Sequence, residues 1–188
     1  MAKKSLKVQK DEVSLSLNLK EIFGKSVPDR TIRERVADDV KRTVINRTLR
    51  GYGVDNGTPI KFSPYSKEYA QFKGQTNVDL ELTGSMLNSI IPLDLGSSDK
   101  LTIGIANKDA PKAHGHMTGQ EGKGPLPKRP FLDMTEREME QIRRKYQSEV
   151  DQIQRTTVSQ TTQAKPSFAP EDIQKALETL RIRFTGGE

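Results

Sequence analysis

From Val13 to Leu19 apolar and polar residues alternate strictly, Val-Ser-Leu-Ser-Leu-Asn-Leu. A period of two predicts a strand with one buried face. The stretch from Gly24 to Pro28 breaks the pattern, and Ser26 or Asp29 stands where a helix N-cap belongs. The period then changes. Ile32, Val36, Val40 and Val44 recur every fourth residue, with Arg33, Glu34, Asp38, Asp39, Lys41 and Arg42 at other positions. This predicts a core-facing helix from about Pro28 to Arg50, ended by Gly51-Tyr52-Gly53.

Residues 54–63 read as a loop, with Asn56-Gly57 as its turn. Ser63 before Pro64 forms an N-cap and first-turn pair, predicting a short helix through Lys73 with Tyr65, Tyr69 and Phe72 on one side. Another short helix, carrying Met86, Leu87 and Ile90, is expected after Thr83-Gly84. Residues 91–95 and 101–106 read as two strands of a hairpin around the polar loop 96–100. Between Asn107 and Pro130 the chain is rich in Gly, Pro, Lys and His, with almost no apolar content, and is expected to be a long loop.

Thr135 and Glu138 have capping-box spacing before a helix with Met139, Ile142, Tyr146, Val150 and Ile153 on one stripe. Its acids come early (Glu136, Glu138, Glu140) and its bases later (Arg143, Arg144, Lys145), which suits the helix dipole. Residues 156–169 read as a polar linker. A last amphipathic helix follows from Pro170, with Ile173, Leu177, Leu180 and Phe184 at helical spacing. The expected organisation is a domain over 1–155 and an arm over 156–188. A short helix behind a polar linker cannot bury its stripe locally, so Ile173, Leu177, Leu180 and Phe184 are expected either to fold back or, the preferred reading, to dock on another subunit.

Composition sharpens this picture. The chain has 188 residues, room for one domain with an arm. Leu, Ile, Val and Phe total 43, close to the lower limit for a globular chain. That predicts a modest core whose polar extensions are ordered by neighbours. Cysteine is absent, which excludes a disulfide framework, a thiolate zinc site and a thiol nucleophile. The lysine-rich start lacks the apolar run of a signal peptide, and no stretch nears the ~20 apolar residues of a membrane span.

The candidate chemistry is sparse. His114 and His116 are the only histidines, and no carboxylate cluster at a recognisable spacing joins them into a metal site. There is no nucleophile elbow, phosphate-cradling loop or dinucleotide fingerprint. No catalytic residue, cofactor or metal is expected. A net charge of +6, with Lys108, Lys112, Lys123, Lys128 and Arg129 in the basic loop, favours phosphate contact. Against DNA binding as the main role, the first long helix carries both signs, and aromatic residues are too few for a stacking platform. Pro127 and Pro130 hold their segment extended, which predicts that Lys128 and Arg129 project outward while Phe131 and Leu132 anchor in an apolar pocket.

Several segments, in order, resemble one family. Thr58-Pro-Ile-Lys-Phe-Ser-Pro-Tyr-Ser-Lys-Glu-Tyr-Ala70 with Lys73-Gly74 is similar to the G-x-P-F-x-P-Y-S-x-x-Y-A-x-x-K stretch of bacteriophage virion morphogenesis proteins, the tail-completion or neck proteins. Val78-Asp-Leu80 with Leu82-Thr-Gly-Ser-Met-Leu-Asn-Ser-Ile90 resembles that family's V-x-L-x-x-T-G-x-M-L-x-S-I. Leu101-Thr-Ile-Gly-Ile105 resembles its next strand, and His114 lies near a position where members often have His. Leu126-Pro-Lys-Arg-Pro-Phe-Leu132 resembles its [VL]-P-x-R-x-F-L signature, with Asp133 where Gly is common. The likeness spans about residues 28–150.

The resemblance implies an α+β fold, with a long N-terminal helix packed on a small, mostly antiparallel sheet, a long loop, a further amphipathic helix and a C-terminal helical arm. It implies a non-catalytic ring subunit that joins head and tail in a tailed phage. Its partners would be six or twelve copies of itself and other neck, portal or adaptor and tail-terminator proteins. Contact with channel DNA would be incidental. The residues it nominates for packing within and between subunits are Pro64, Tyr65, Tyr69, His114, Pro127, Lys128, Arg129, Pro130, Phe131 and Leu132. The loop over 107–130 would cross to a neighbour.

Overall fold

In a computed structural model, the described residues are 4–24, 28–80, 84–95, 99–121, 124–125 and 127–163. Strand β2 (Val13–Asn18) realises the alternation, and its outward turn is closed by helix α1 (Leu19–Phe23), capped by the Asn18 side chain. Strand β1 (Lys4–Val8) pairs antiparallel with β2. The sequence reading did not foresee β1. Its Lys-Ser-Leu-Lys-Val run has little apolar alternation, because it is an edge strand held mainly by backbone pairing.

Strands β5 (Ile91–Asp94) and β6 (Lys100–Ile105) form the expected hairpin and complete an antiparallel sheet in the order β1-β2-β6-β5. Val13, Leu15 and Leu17 lie directly opposite Ile105, Ile103 and Leu101, and all six side chains are buried. Such cross-strand apolar pairs are the stabilising unit of a sheet. Helix α2 (Arg30–Leu49) covers this core with Ile32, Val36, Ala37, Val40 and Val44, and its N-cap is Asp29, whose carboxylate accepts from Ile32 N at 2.8 Å. The architecture is mixed α+β, as expected: a long helix on a small antiparallel sheet.

Helix α6 (Glu136–Gln163) opens on the capping box: Glu138 N donates to Thr135 Oγ1 at 3.1 Å and Thr135 N to Glu138 Oε2 at 2.8 Å. Met139, Ile142, Tyr146 and Val150 are its buried stripe. Polar pairs tie it to α2. Tyr146 Oη donates to Asp39 Oδ2 at 2.8 Å, and Arg35 bonds both oxygens of Glu149 at 2.6 and 3.1 Å.

Four expectations are corrected. Residues 54–63 are not a loop. Strands β3 (Tyr52–Asp55) and β4 (Thr58–Lys61) form a hairpin through Asn56 and Gly57 at φ 51° and 83°, the pair of positive φ angles that a tight hairpin turn requires. Helix α3 (Lys67–Lys73) starts after Ser66, whose hydroxyl accepts from Tyr69 N, and not after Ser63. The carbonyls of Ser63 and Pro64 are taken by Arg129, so they do not open a helix.

The segment from 107 to 130 is not a structureless loop. It holds helix α5 (Ala110–Thr118), which follows the short α4 (Ser85–Asn88), and a small hairpin of β7 (Gln120–Glu121) and β8 (Gly124–Pro125). The buried face of α5 is Ala110, Ala113, Gly115 and Met117. These small residues leave little trace in an apolar pattern. Finally, α6 continues to Gln163, through the start of the expected linker.

The chain divides into two compact units, Met1–Asp151 and Gln152–Glu188. In the second, the structure describes the helical residues up to Gln163. The expected last helix, with Ile173, Leu177, Leu180 and Phe184, lies outside the described residues.

Candidate assembly surface

Pro127, Lys128, Arg129 and Pro130 run extended between α5 and the β3 edge. Arg129 N donates to His116 O at 2.7 Å, and Val54 N donates to Pro130 O at 2.9 Å. In an extended segment successive side chains point to opposite sides. Lys128 therefore faces solvent, with its ammonium 2.8 and 2.9 Å from the two oxygens of Asp55. Arg129 does not project outward as expected; it is 5% exposed. Its guanidinium donates to Ser63 O and Pro64 O, each at 3.1 Å, and stacks 5.2 Å from the Tyr65 ring centre. Burial pulls its pKa down from the usual arginine range, and Tyr65 and Tyr69 oppose that.

Pro130, Phe131 and Leu132 are buried, and Phe131 N points at Met117 Sδ at 3.3 Å. They fill this chain's own core and have no surface to offer a neighbour. Pro64 and Pro127 are exposed.

The fate of Tyr65 follows from Arg129. Its ring meets both that guanidinium and the Lys73 ammonium, the latter 4.9 Å from its centre. Its hydroxyl donates to Asp79 Oδ1 at 3.3 Å and accepts from Leu80 N at 3.2 Å. Lys73 also pairs with Asp79. Burial lowers the Lys73 pKa, but Asp79 and the Tyr65 hydroxyl outweigh it and leave the amine raised. The result is a ladder: Tyr69 meets Tyr65 edge-on at 4.8 Å, and Phe72 meets Tyr69 at 6.2 Å. Helix α3 has no buried residue, and Phe72 is 75% exposed. Polar contacts hold the helix to the body while its outer rings face water.

His114 and His116 lie on α5, two residues apart. That spacing turns the imidazoles roughly 200° from one another around a helix, so they cannot chelate one ion together. His114 O accepts from Thr118 Oγ1. His116 is largely buried, its Nδ1 has no hydrogen-bond partner, and burial followed by repulsion from Arg129 and Lys112 lowers its pKa to about 4. Among the described residues no group of three His, Asp or Glu is arranged to hold a metal.

A cleft of about 520 Å³ opens between α1 and the start of α6, lined by Glu21, Glu136, Glu140 and Arg143 among others. Hydrogen bonds from Arg143 and Arg144 hold Glu140 at about 2, so it stays an anion and is no proton donor near neutrality. Among the described residues no helix is long and apolar enough to cross a membrane.

Two residues to which sequence reasoning gave no role, Asp133 and Arg47, organise the Phe131-Leu132 corner. Asp133 accepts from Lys4 Nζ at 2.5 Å, Gly57 N at 3.0 Å and Met134 N at 2.7 Å, joining β1, the β3–β4 turn and the approach to α6. Arg47 of α2 reaches Glu138 at 2.7 Å, Phe131 O at 2.8 Å and Asp133 O at 2.7 Å. Apart from the adjacent Met134, their partners lie 76 to 129 positions away along the chain, so no local pattern could reveal them. The chain matches no protein-family model, no curated protein and no solved structure.

Proposed function

We propose that this chain is a structural subunit of a ring at the head–tail junction of a tailed-phage virion, joining head to tail without catalysis. The observation that carries the reading is α3: a helix with no buried residue, held by polar contacts, that turns Tyr69 and Phe72 to the solvent. Apolar rings displayed on a polar-anchored element mark a surface kept for a protein partner. The reading also draws on the resemblance. Tyr65, from the Pro-Tyr-Ser stretch, and Arg129, from the Pro-Lys-Arg-Pro-Phe-Leu stretch, are 64 positions apart and stack on each other. Motifs that meet in space behave as parts of one structural unit.

The partners on this reading are further copies of the chain and adjoining neck or tail proteins. The DNA-binding alternative is weaker, because Lys128 is paired with Asp55 and Arg129 is buried.

Light scattering on the purified full chain, with duplex-DNA titrations at two salt concentrations, separates the readings. A ring subunit gives discrete oligomers of six or twelve copies and feeble DNA affinity. A solitary chain whose DNA affinity falls steeply with salt would sink the ring reading.

A further inference from the structure

The size of the α3 face limits what can cover it. Tyr69 is 37% and Phe72 75% exposed, on a helix of seven residues. Two partly exposed rings offer at most a few hundred Å², well short of the ~800 Å² per partner in a free-standing protein interface. Tyr69 and Phe72, three positions apart, share one face of α3, and Tyr65, just ahead of its N-cap, extends that face by packing edge-on against Tyr69. The fitting occupant is a single amphipathic segment and not a broad protein face.

The same sequence carries one. Twenty-five residues follow Gln163, the last residue described, and within them Ile173, Leu177, Leu180 and Phe184 fall at spacings of four, three and four. A donor stripe and a different acceptor face on one chain make a head-to-tail contact, which closes into a ring by rotation; α3 packed on α3 would stop at a pair. Building on the ring reading above, we propose that Ile173, Leu177, Leu180 and Phe184 of one copy seat on Tyr65, Tyr69 and Phe72 of the next. Each contact is small, and ring closure multiplies its effect.

The absence of cysteine makes the test clean. Full-length chains carrying Phe72→Cys and Leu180→Cys singly are mixed under mild oxidation. The expected result is a covalent dimer formed in the mixture well beyond either chain alone, and a ladder of linked oligomers from the doubly substituted chain. Phe72→Asp, at an exposed position, is expected to leave the melting temperature unchanged and to raise the concentration for half-assembly at least tenfold.

Crosslinking confined within single doubly substituted chains would overturn the proposal. So would rings that persist by light scattering while the mixture fails to crosslink and Phe72→Asp assembles normally; either result leaves the ring reading intact. An unsubstituted chain that stays solitary overturns both.

Discussion

Lys128 and Arg129 are neighbours in the chain, and the extended backbone between two prolines sends them to opposite sides. The consequence is measurable. Lys128→Ala breaks an exposed ion pair and should change stability by less than about 0.5 kcal/mol. Arg129→Lys keeps the charge but loses the planar fork that reaches two carbonyls and the Tyr65 face, and should cost about 2 kcal/mol in urea unfolding. Equal effects would mean that Arg129 is not seated as described.

His116 offers a second test at this scale. Its pKa is near 4 in the folded chain against 6.5 ordinarily, so between these values the unfolded chain binds the extra proton. Its neutral form suits the fold fully above pH 6.5. Stability is lost as pH falls from there toward 4, to a limit of about 3 kcal/mol. Arg129 and Lys112 make protonation still less favourable. Urea midpoints measured from pH 7 to pH 4 should fall less steeply in His116→Gln than in the unsubstituted chain. Asp39 and Asp109, whose pKa values are lowered, lose their contribution only at more acidic pH, below the ordinary aspartate value of 3.8.

Among the elements, those with a large apolar period were legible from sequence and those built on small residues were not. The rows of β2 and α2, and the α6 stripe behind Thr135 and Glu138, were readable because Leu, Ile and Val repeat at the period of their element. Helix α5 was not, since Ala110, Ala113 and Gly115 bury a face without marking it as apolar. The β3–β4 hairpin announced its turn but not its strands, which are four residues long and mostly exposed on β4.

Gly53 shows how tightly that hairpin is docked. A Cβ there would lie 2.0 Å from Pro130 O and 2.4 Å from the Phe62 ring. Gly53→Ala should push β3 off the 129–131 segment and cost more than about 2 kcal/mol, whereas Gly74→Ala, with open space around it but φ at 72°, should cost about 1 kcal/mol. Thermal melts of the two variants make the comparison. Similar shifts would count against the close approach.

For the whole molecule, the unit Met1–Asp151 holds the sheet, α2 and the buried stripe of α6. Removing residues 156–188 should therefore leave a chain with the melting behaviour of the full-length protein and, on the ring reading, without its oligomers. Circular dichroism and light scattering on the truncated chain check both halves. A loss of folding would show that the arm belongs to the core.

The sequence by itself determined the two long helices, the core strands and the capping box, because each depends on neighbours within a few residues and on the period of burial; the α+β class came with the family resemblance. Tertiary structure alone decided that Arg129 turns inward to clasp Tyr65, that Asp133 gathers Lys4, Gly57 and Met134, and that the rings of α3 stay outside. A hydrogen bond or a stacked ring needs only closeness in space. Chain folding brings positions 64 to 129 residues apart within reach, and a one-dimensional pattern cannot register that.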